Sequence, residues 1–147
     1  IEDIYDIQLE SDSFDLVICW QTLSWLEKPE VALRELVRIC KQGGLVLASS
    51  LFNLNHDVDV YSKVIDHTRE SSKLDLSLDY NTHSLYTVRK WLSGLVAEFK
   101  VHKFCIPVDL THSERGLGTS TVKLDTGERL QLSAWMLLNW GILEIKK

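Results

Sequence analysis

Phe14-Asp15-Leu16-Val17-Ile18-Cys19-Trp20 is an almost continuously apolar run rich in β-formers, and such a run suits a strand buried on both faces of a parallel sheet. A helix is expected directly after it, near residues 29 to 41. Pro29 is placed as a first-turn residue, Glu30 suits the positive helix start, and Ala32, Leu33, Leu36, Val37 and Cys40 recur at helical spacing. Arg38 and Lys41 fall in the last turn, with Gly43-Gly44 as the stop. A second apolar strand follows, Leu45-Val46-Leu47-Ala48-Ser49. Strand, helix and strand at these lengths form the right-handed parallel crossover unit, so the fold class is α/β.

Downstream, Val60, Tyr61, Val64 and Ile65 read as a further helix from Val58 to about Glu70, and Ser71 to Tyr80 as a surface connection. Thr87 is a good N-cap for a helix carrying Val88, Trp91, Leu92 and Leu95, with Gly94 near its end. Phe99 to Cys105 alternates as a half-buried strand. Val122 to Leu124 and Arg129 to Leu132 flank the turn Asp125-Thr126-Gly127-Glu128 and predict a hairpin, and Gly141 to Ile145 predicts a final strand. No repeat, low-complexity tract or linker divides the chain, so residues 1–147 are read as one unit.

At 147 residues, 45% hydrophobic and 25% charged, the chain can form a single domain with an adequate core. Its net charge of −5 gives no basic footprint for nucleic acid or an anionic membrane. Cys19, Cys40 and Cys105 are widely spaced, odd in number and set in apolar runs, which favours buried reduced thiols over a disulfide or metal site. The histidines at 56, 67, 83, 102 and 112 show no metal-ligand spacing. Without a signal-peptide pattern or a membrane-length apolar run, a cytoplasmic protein is expected. The chain opens on Ile1 and runs directly into mixed polar and apolar sequence, as expected of a chain whose beginning is missing.

Three ordered pieces carry a family likeness: Asp12-Ser13-Phe14-Asp15-Leu16-Val17; Leu26-Glu27-Lys28-Pro29-Glu30 with Ala32-Leu33-Arg34-Glu35-Leu36; and Arg38-Ile39-Cys40-Lys41-Gln42-Gly43-Gly44. Together they resemble the class I S-adenosylmethionine-dependent methyltransferases, whose usual string is D-x-S-F-D-L-V, then L-x-x-P-E-x-A-L-R-E-x-x-R-x-L-K-P-G-G. Tyr86-Thr87 and the closing run Leu138 to Lys146 extend the resemblance more loosely along the chain. It implies a partial Rossmann-like sheet from the family's fourth strand onward, with helices on both faces and a C-terminal antiparallel strand pair. It also implies S-adenosylmethionine as cofactor. In the family a glycine-rich turn after the first strand approaches the cofactor. Gly116-Leu117-Gly118 has that flavour here, but it comes late, follows no clear strand and opens no apolar helix.

The resemblance also places residues. Asp3-Ile4 falls where the family has an Asp-Ala pair after its third strand. Asp3 would accept the adenine amino group there and Ile4 would supply a backbone amide and an apolar wall, since a carboxylate selects a donating amine over a carbonyl. Cys19, Trp20 and Gln21 end the first strand, at the edge where open α/β sheets bind ligands. Ser24 and Trp25 stand where the family often has two histidines, which puts an aromatic wall in place of a histidine role. Ser50, Asn53, Asn55 and His56 follow the second strand. Trp25, Asn53 and Asn55 are candidate acceptor contacts, and His56 is a candidate general base if the acceptor must lose a proton. Ordinary turn chemistry accounts for the asparagines as well, and a solvated loop accounts for His56. His83, Tyr86, Trp135 and Trp140 are weaker candidates.

Methyl transfer from a sulfonium is an in-line displacement with an activated donor, so positioning in a water-poor pocket can supply much of the rate. The leading expectation is that the intact protein is a methyltransferase acting on a small-molecule acceptor, with this chain supplying the later sheet strands and the acceptor-side loops and inactive by itself. The alternative is a noncatalytic methyltransferase-like module that pairs with another chain, a second copy or an N-terminal segment, along an exposed sheet edge.

Overall fold

The computed structural model describes residues 2–65, 77–111, 119–133 and 136–147. Strand β1 spans Phe14–Trp20, helix α1 Pro29–Ile39 and strand β2 Cys40–Asn53. β1 and β2 are adjacent and parallel, with Leu16 opposite Leu45 and Trp20 opposite Ser49. The expected crossover unit is therefore present. β2 begins earlier than its apolar run, at Cys40, because the chain turns straight from α1 into the sheet and a register irregularity absorbs Lys41 to Gly44. Gly43 sits at φ +77°, and a Cβ on Gly44 would lie 2.8 Å from Cys40 Sγ and 3.0 Å from the Asp15 carbonyl oxygen. Both positions require glycine for that reason.

The segment after β2 departs from the expectation of a helix from Val58 to Glu70. Val60 forms a bridge with Thr82, and Lys63–Ile65 (β3) pairs antiparallel with Ser77–Asp79 (β4). Three of these side chains, Val60, Val64 and Ile65, are β-branched, and the Val60 N–H and carbonyl both bond across to Thr82, so strand pairing takes the place of helical bonds. Residues 66–76 lie outside the described part. The supposed surface connection ends with Ser77–Asp79 in a strand and Tyr80 buried.

His83–Ser84 (β5) adds in parallel to the end of β2, and helix α2 follows at Leu85–Leu92. Its cap is Ser84, whose hydroxyl accepts the Thr87 N–H. Thr87, expected to be the cap, lies inside the first turn and donates its own hydroxyl to Asp59 at 2.5 Å. Strand β6 spans Glu98–Phe104, the hairpin strands are Thr119–Lys123 (β7) and Arg129–Ser133 (β8), and Met136–Lys146 forms β9. β9 runs antiparallel to both β2 and β6, which places the late antiparallel strand where the fold class requires it.

The core lies on one face of this sheet. Val17 and Cys19 of β1, Val46, Ala48 and Phe52 of β2, and Leu143 and Ile145 of β9 pack with Leu33, Leu36 and Val37 of α1 and Val88 and Leu92 of α2. Each fully buried aliphatic chain contributes roughly 1.5–3 kcal/mol. The opposite face of β1 is open: Leu16, Ile18 and Trp20 are 49%, 60% and 55% exposed. Two expectations are corrected here. β1 is buried on one face only, and both described helices contribute to the same buried cluster, with no helix on the other face among the described residues. The apolar run could not distinguish these arrangements, because its outward side chains are as hydrophobic as its inward ones. β1 is also an edge strand, with only β2 paired to it among the described residues.

Cys19 and Cys40 are buried free thiols, as read; Cys105 is exposed, because it follows the last residue of β6.

Candidate functional site

The carboxyl ends of β1 and β2 are locked together. Gln21, directly after β1, has φ +52°, a left-handed conformation costly for a non-glycine residue. Its N–H lies 3.1 Å from the Ser49 carbonyl and 3.0 Å from the Ser49 hydroxyl, and its side-chain amide reaches that hydroxyl at 3.3 Å. Next comes a short turn at Leu23–Trp25, in which the Ser24 hydroxyl meets that of Ser50 at 2.5 Å, both buried. Trp25 packs edge-on against Tyr80, with ring centroids 4.5 Å apart. This contact ties the loop after β1 to the segment before β5.

The N-terminal segment reaches the same edge. The Tyr5 hydroxyl accepts the N–H groups of Glu27 and Lys28 at 3.1 and 3.3 Å, just ahead of α1. Asp3 is bound into that segment, its Oδ1 accepting the Tyr5 N–H at 2.9 Å and its carbonyl accepting the Asp6 N–H. Ile4 packs against the core. Further along, Arg38 of α1 donates to the carbonyls of Ile7 and Leu9 and to the Ser11 hydroxyl, while Glu35 accepts the Ile7 N–H. Donation from Arg38 outweighs burial and holds the Glu35 carboxyl below its ordinary value.

The other sequence candidates are dispersed. Trp20 is exposed on the open face and stacks loosely on Phe104, centroids 6.3 Å apart. The Cys19 side chain points into the core, and burial pushes its thiol up, so only its backbone is near the edge. Asn53 is spent on its own loop, its amide donating to the Val58 carbonyl and its oxygen accepting the His56 N–H. His56 and Asn55 lie on that loop, both exposed. Trp135 lies outside the described residues.

At this end of the sheet sequence reasoning missed Asp59 and ranked His83 only among the weaker candidates. Asp59 accepts the Ser84 N–H at 2.6 Å and the Thr87 hydroxyl; burial pushes its carboxyl up, but these bonds prevail and it lies below its ordinary value. Beside it, His83 is fully buried between the rings of Tyr61 and Trp91, at 5.7 and 4.7 Å. Desolvation lowers its pKa to about 4, against weaker upward pulls from Asp59 and Glu30, so it is neutral at pH 7. Asp59 offered no sequence signal beyond its place in the loop that follows β2. Among the described residues, no three His, Cys, Asp or Glu side chains gather to hold a metal ion, and no helix is long and apolar enough to cross a membrane.

A parallel β1–α1–β2 crossover, with its two strand ends bonded together through Gln21 and Ser49, and an antiparallel β9 beside β2 together define the architecture. The fold is that of the class I methyltransferases. Residues 1–48 match the family model described as a methyltransferase domain. Among solved structures, the YcgJ protein of Bacillus subtilis is similar at 16% identity and a TM-score of 0.56, covering 98% of this chain and 68% of its own. A S-adenosylmethionine-dependent methyltransferase of Methanosarcina mazei is similar at 12% identity and a TM-score of 0.53, covering 99% and 65%. Phosphoethanolamine N-methyltransferase 2 of Haemonchus contortus, solved with phosphomonomethylethanolamine and S-adenosylhomocysteine, gives 13% identity and a TM-score of 0.55, covering 99% of this chain and 36% of its own. The chain thus spans about two thirds or less of the length of these methyltransferase-fold proteins. No curated protein sequence matches it. The family model and the neighbours' names point to S-adenosylmethionine as the cofactor.

Asp3 is exposed, with Oδ2 unpaired among the described residues, while Ile4 packs against the core and Trp20 is exposed on the opposite face of β1, so no contact among the described residues joins these three candidates into one pocket. Among the described residues no glycine forms the cradle for the cofactor's end away from the adenine. Gly43 and Gly44 connect a helix to a strand, Gly94 follows α2, Gly127 turns the hairpin, Gly141 lies within β9, and Gly116 and Gly118 lie outside the described residues.

Proposed function

We infer that this chain supplies the later strands and the acceptor-side loops of a methyltransferase acting on a small molecule. The observation that carries this reading is the construction at Gln21, where a strained backbone is held by two bonds to Ser49 at the shared carboxyl end of β1 and β2. Strain held by surrounding bonds at a ligand edge is a mark of a working site.

Asp3 and Ile4 would hold the adenine, with the backbone of Cys19, Trp20 and Gln21 beneath the cofactor. Trp25 would wall the acceptor side, where Asn55 would contact the acceptor and Asn53 keeps its loop in shape. S-adenosylmethionine supplies an electrophilic methyl group when bound. What the chain adds is orientation and exclusion of water by Trp20 and Trp25. His56, on the loop organised by Asn53, would take a proton from an acceptor that must lose one. The neighbour bound to phosphomonomethylethanolamine is in keeping with a small acceptor.

Equilibrium dialysis with radiolabelled S-adenosylmethionine, followed by methyl transfer to a small-molecule library, tests this reading. Cofactor retention that falls in Trp20→Ala and Asp3→Asn is expected. The alternative, a noncatalytic module that pairs along the β1 edge, predicts no cofactor retention; its support is that edge strand and its exposed Leu16 and Ile18.

A further inference from the structure

Helices α1 and α2 pack side by side. α1 returns from β1 to the parallel strand β2, and α2 leads from β5 to β6, both parallel to β2, so the two helices begin at the carboxyl edge and run the same way. A cleft of about 590 Å³ opens between them and the loop before β3, a volume usual for a small-molecule site. Its walls are these helices and that loop, clear of the open face of β1, and none of the cofactor or acceptor candidates lines it. Tyr61 and Trp91 supply aromatic surface. Charge is sorted along the cleft. Glu27 and Glu30, at the start of α1, and Asp59, bound to the Ser84 N–H and the Thr87 hydroxyl at the start of α2, make the edge end acidic. Arg34 and Lys90 stand a turn further along each helix and make the far end basic, about 6 Å away by helical rise. The side chains of Glu27, Glu30 and Arg34 have no ion-pair partner among the described residues, and Lys90 has only the Tyr86 ring at 5.6 Å. Burial pushes the Tyr61 hydroxyl up and the charges of Asp59 and Glu30 push it further, so the acidic end acts on the ring wall.

We propose that this cleft binds a short zwitterion, its ammonium among Glu27, Glu30 and Asp59 against the Tyr61 ring and its acid group between Arg34 and Lys90. The site is independent of the methyltransferase reading of the sheet edge. The three carboxylates do not gather closely enough to hold a metal ion, which leaves an organic cation, and an aromatic ring adds cation–π attraction to an ammonium. A simple amine leaves the two cations of the cleft unmatched, and a simple acid leaves the carboxylates unmatched. A zwitterion with its charges about 6 Å apart meets both ends, and the mismatch disfavours the singly charged competitors.

The test is a backbone-amide NMR titration of the chain with γ-aminobutyrate, butylamine, butyrate and glycine, with no cofactor added. γ-Aminobutyrate should shift the amides of Tyr61, Thr87 and Trp91 together. Butylamine and butyrate, which each lack one charge, and glycine, whose charges are too close together, should bind about ten-fold more weakly or less. Glu30→Gln and Arg34→Gln should each lower γ-aminobutyrate affinity about ten-fold, while the amides of β9 keep their positions and report an intact fold. No shift at the three amides, equal binding of any of the other three ligands, or unchanged affinity in both variants would overturn the proposal. With no cofactor present, none of these outcomes bears on the methyltransferase reading, and failure of S-adenosylmethionine retention leaves this site standing.

Discussion

The hydroxyls of Ser24 and Ser50 meet at 2.5 Å in a buried contact between the loop after β1 and the carboxyl end of β2. A buried hydroxyl left without its partner costs about 1–3 kcal/mol. Ser24→Ala and Ser50→Ala should therefore each destabilise the chain by about that amount in urea unfolding. The double variant should cost less than the two singles added, because each single already breaks the shared bond. Additive losses would show that the contact has no energetic weight.

The elements with a clear period are legible in the sequence: β1, α1, β2, β6, the hairpin and β9 follow from apolar spacing, Pro29, Gly43-Gly44 and Gly127. The segment at 58–65 is not, because Val60, Val64 and Ile65 satisfy a helical spacing as well as a strand, and only the partner at Thr82 decides between them. Ser84 and Thr87 are both competent caps, and the backbone turn selects the earlier one. Of the candidate site, Trp20 and Gln21 could be placed from the strand end alone. Asp59 could not, since an aspartate in a loop reads as a solvent-facing residue, and its place depends on its bonds to the Ser84 N–H and the Thr87 hydroxyl.

His83 makes stability depend on pH with a definite sign. Its folded pKa of about 4 lies below the ordinary 6.5, so the unfolded chain binds more protons between those values. Stability contributed by keeping this ring neutral is full above about 6.5 and falls as pH drops towards about 4, by on the order of 3 kcal/mol. His83→Phe should flatten that part of the profile in chemical denaturation from pH 4 to 7. An unaltered slope would assign the pH dependence to other groups.

Arg38 straps residues 7–11 to α1. In Arg38→Ala the Ile7 amide, which donates to Glu35, should exchange faster and the N-terminal segment should become open to protease. Because the Glu35 carboxyl is held below its ordinary value, the strap is present above the unfolded carboxylate value and is lost as pH falls through the lowered one. Protection of Ile7 that is unaffected by the substitution or by acid would rule the strap out.

The open edge of β1 should drive association of the chain. Light scattering should show species larger than a monomer, and Ile18→Lys, at a 60% exposed position, should reduce them with little change in stability. A monodisperse parent chain with rapidly exchanging β1 amides would defeat this expectation.

The most direct test of the central claim, that the carboxyl edge of β1 and β2 is the cofactor edge, is an NMR titration of the chain with millimolar S-adenosylhomocysteine, read at individual backbone amides. Trp20, Gln21, Ile4 and Tyr5 should shift together, and Ser93 to Leu95 beyond α2 should not. Absence of any shift at Trp20 and Gln21, or shifts confined to the far end of α2, would contradict the account.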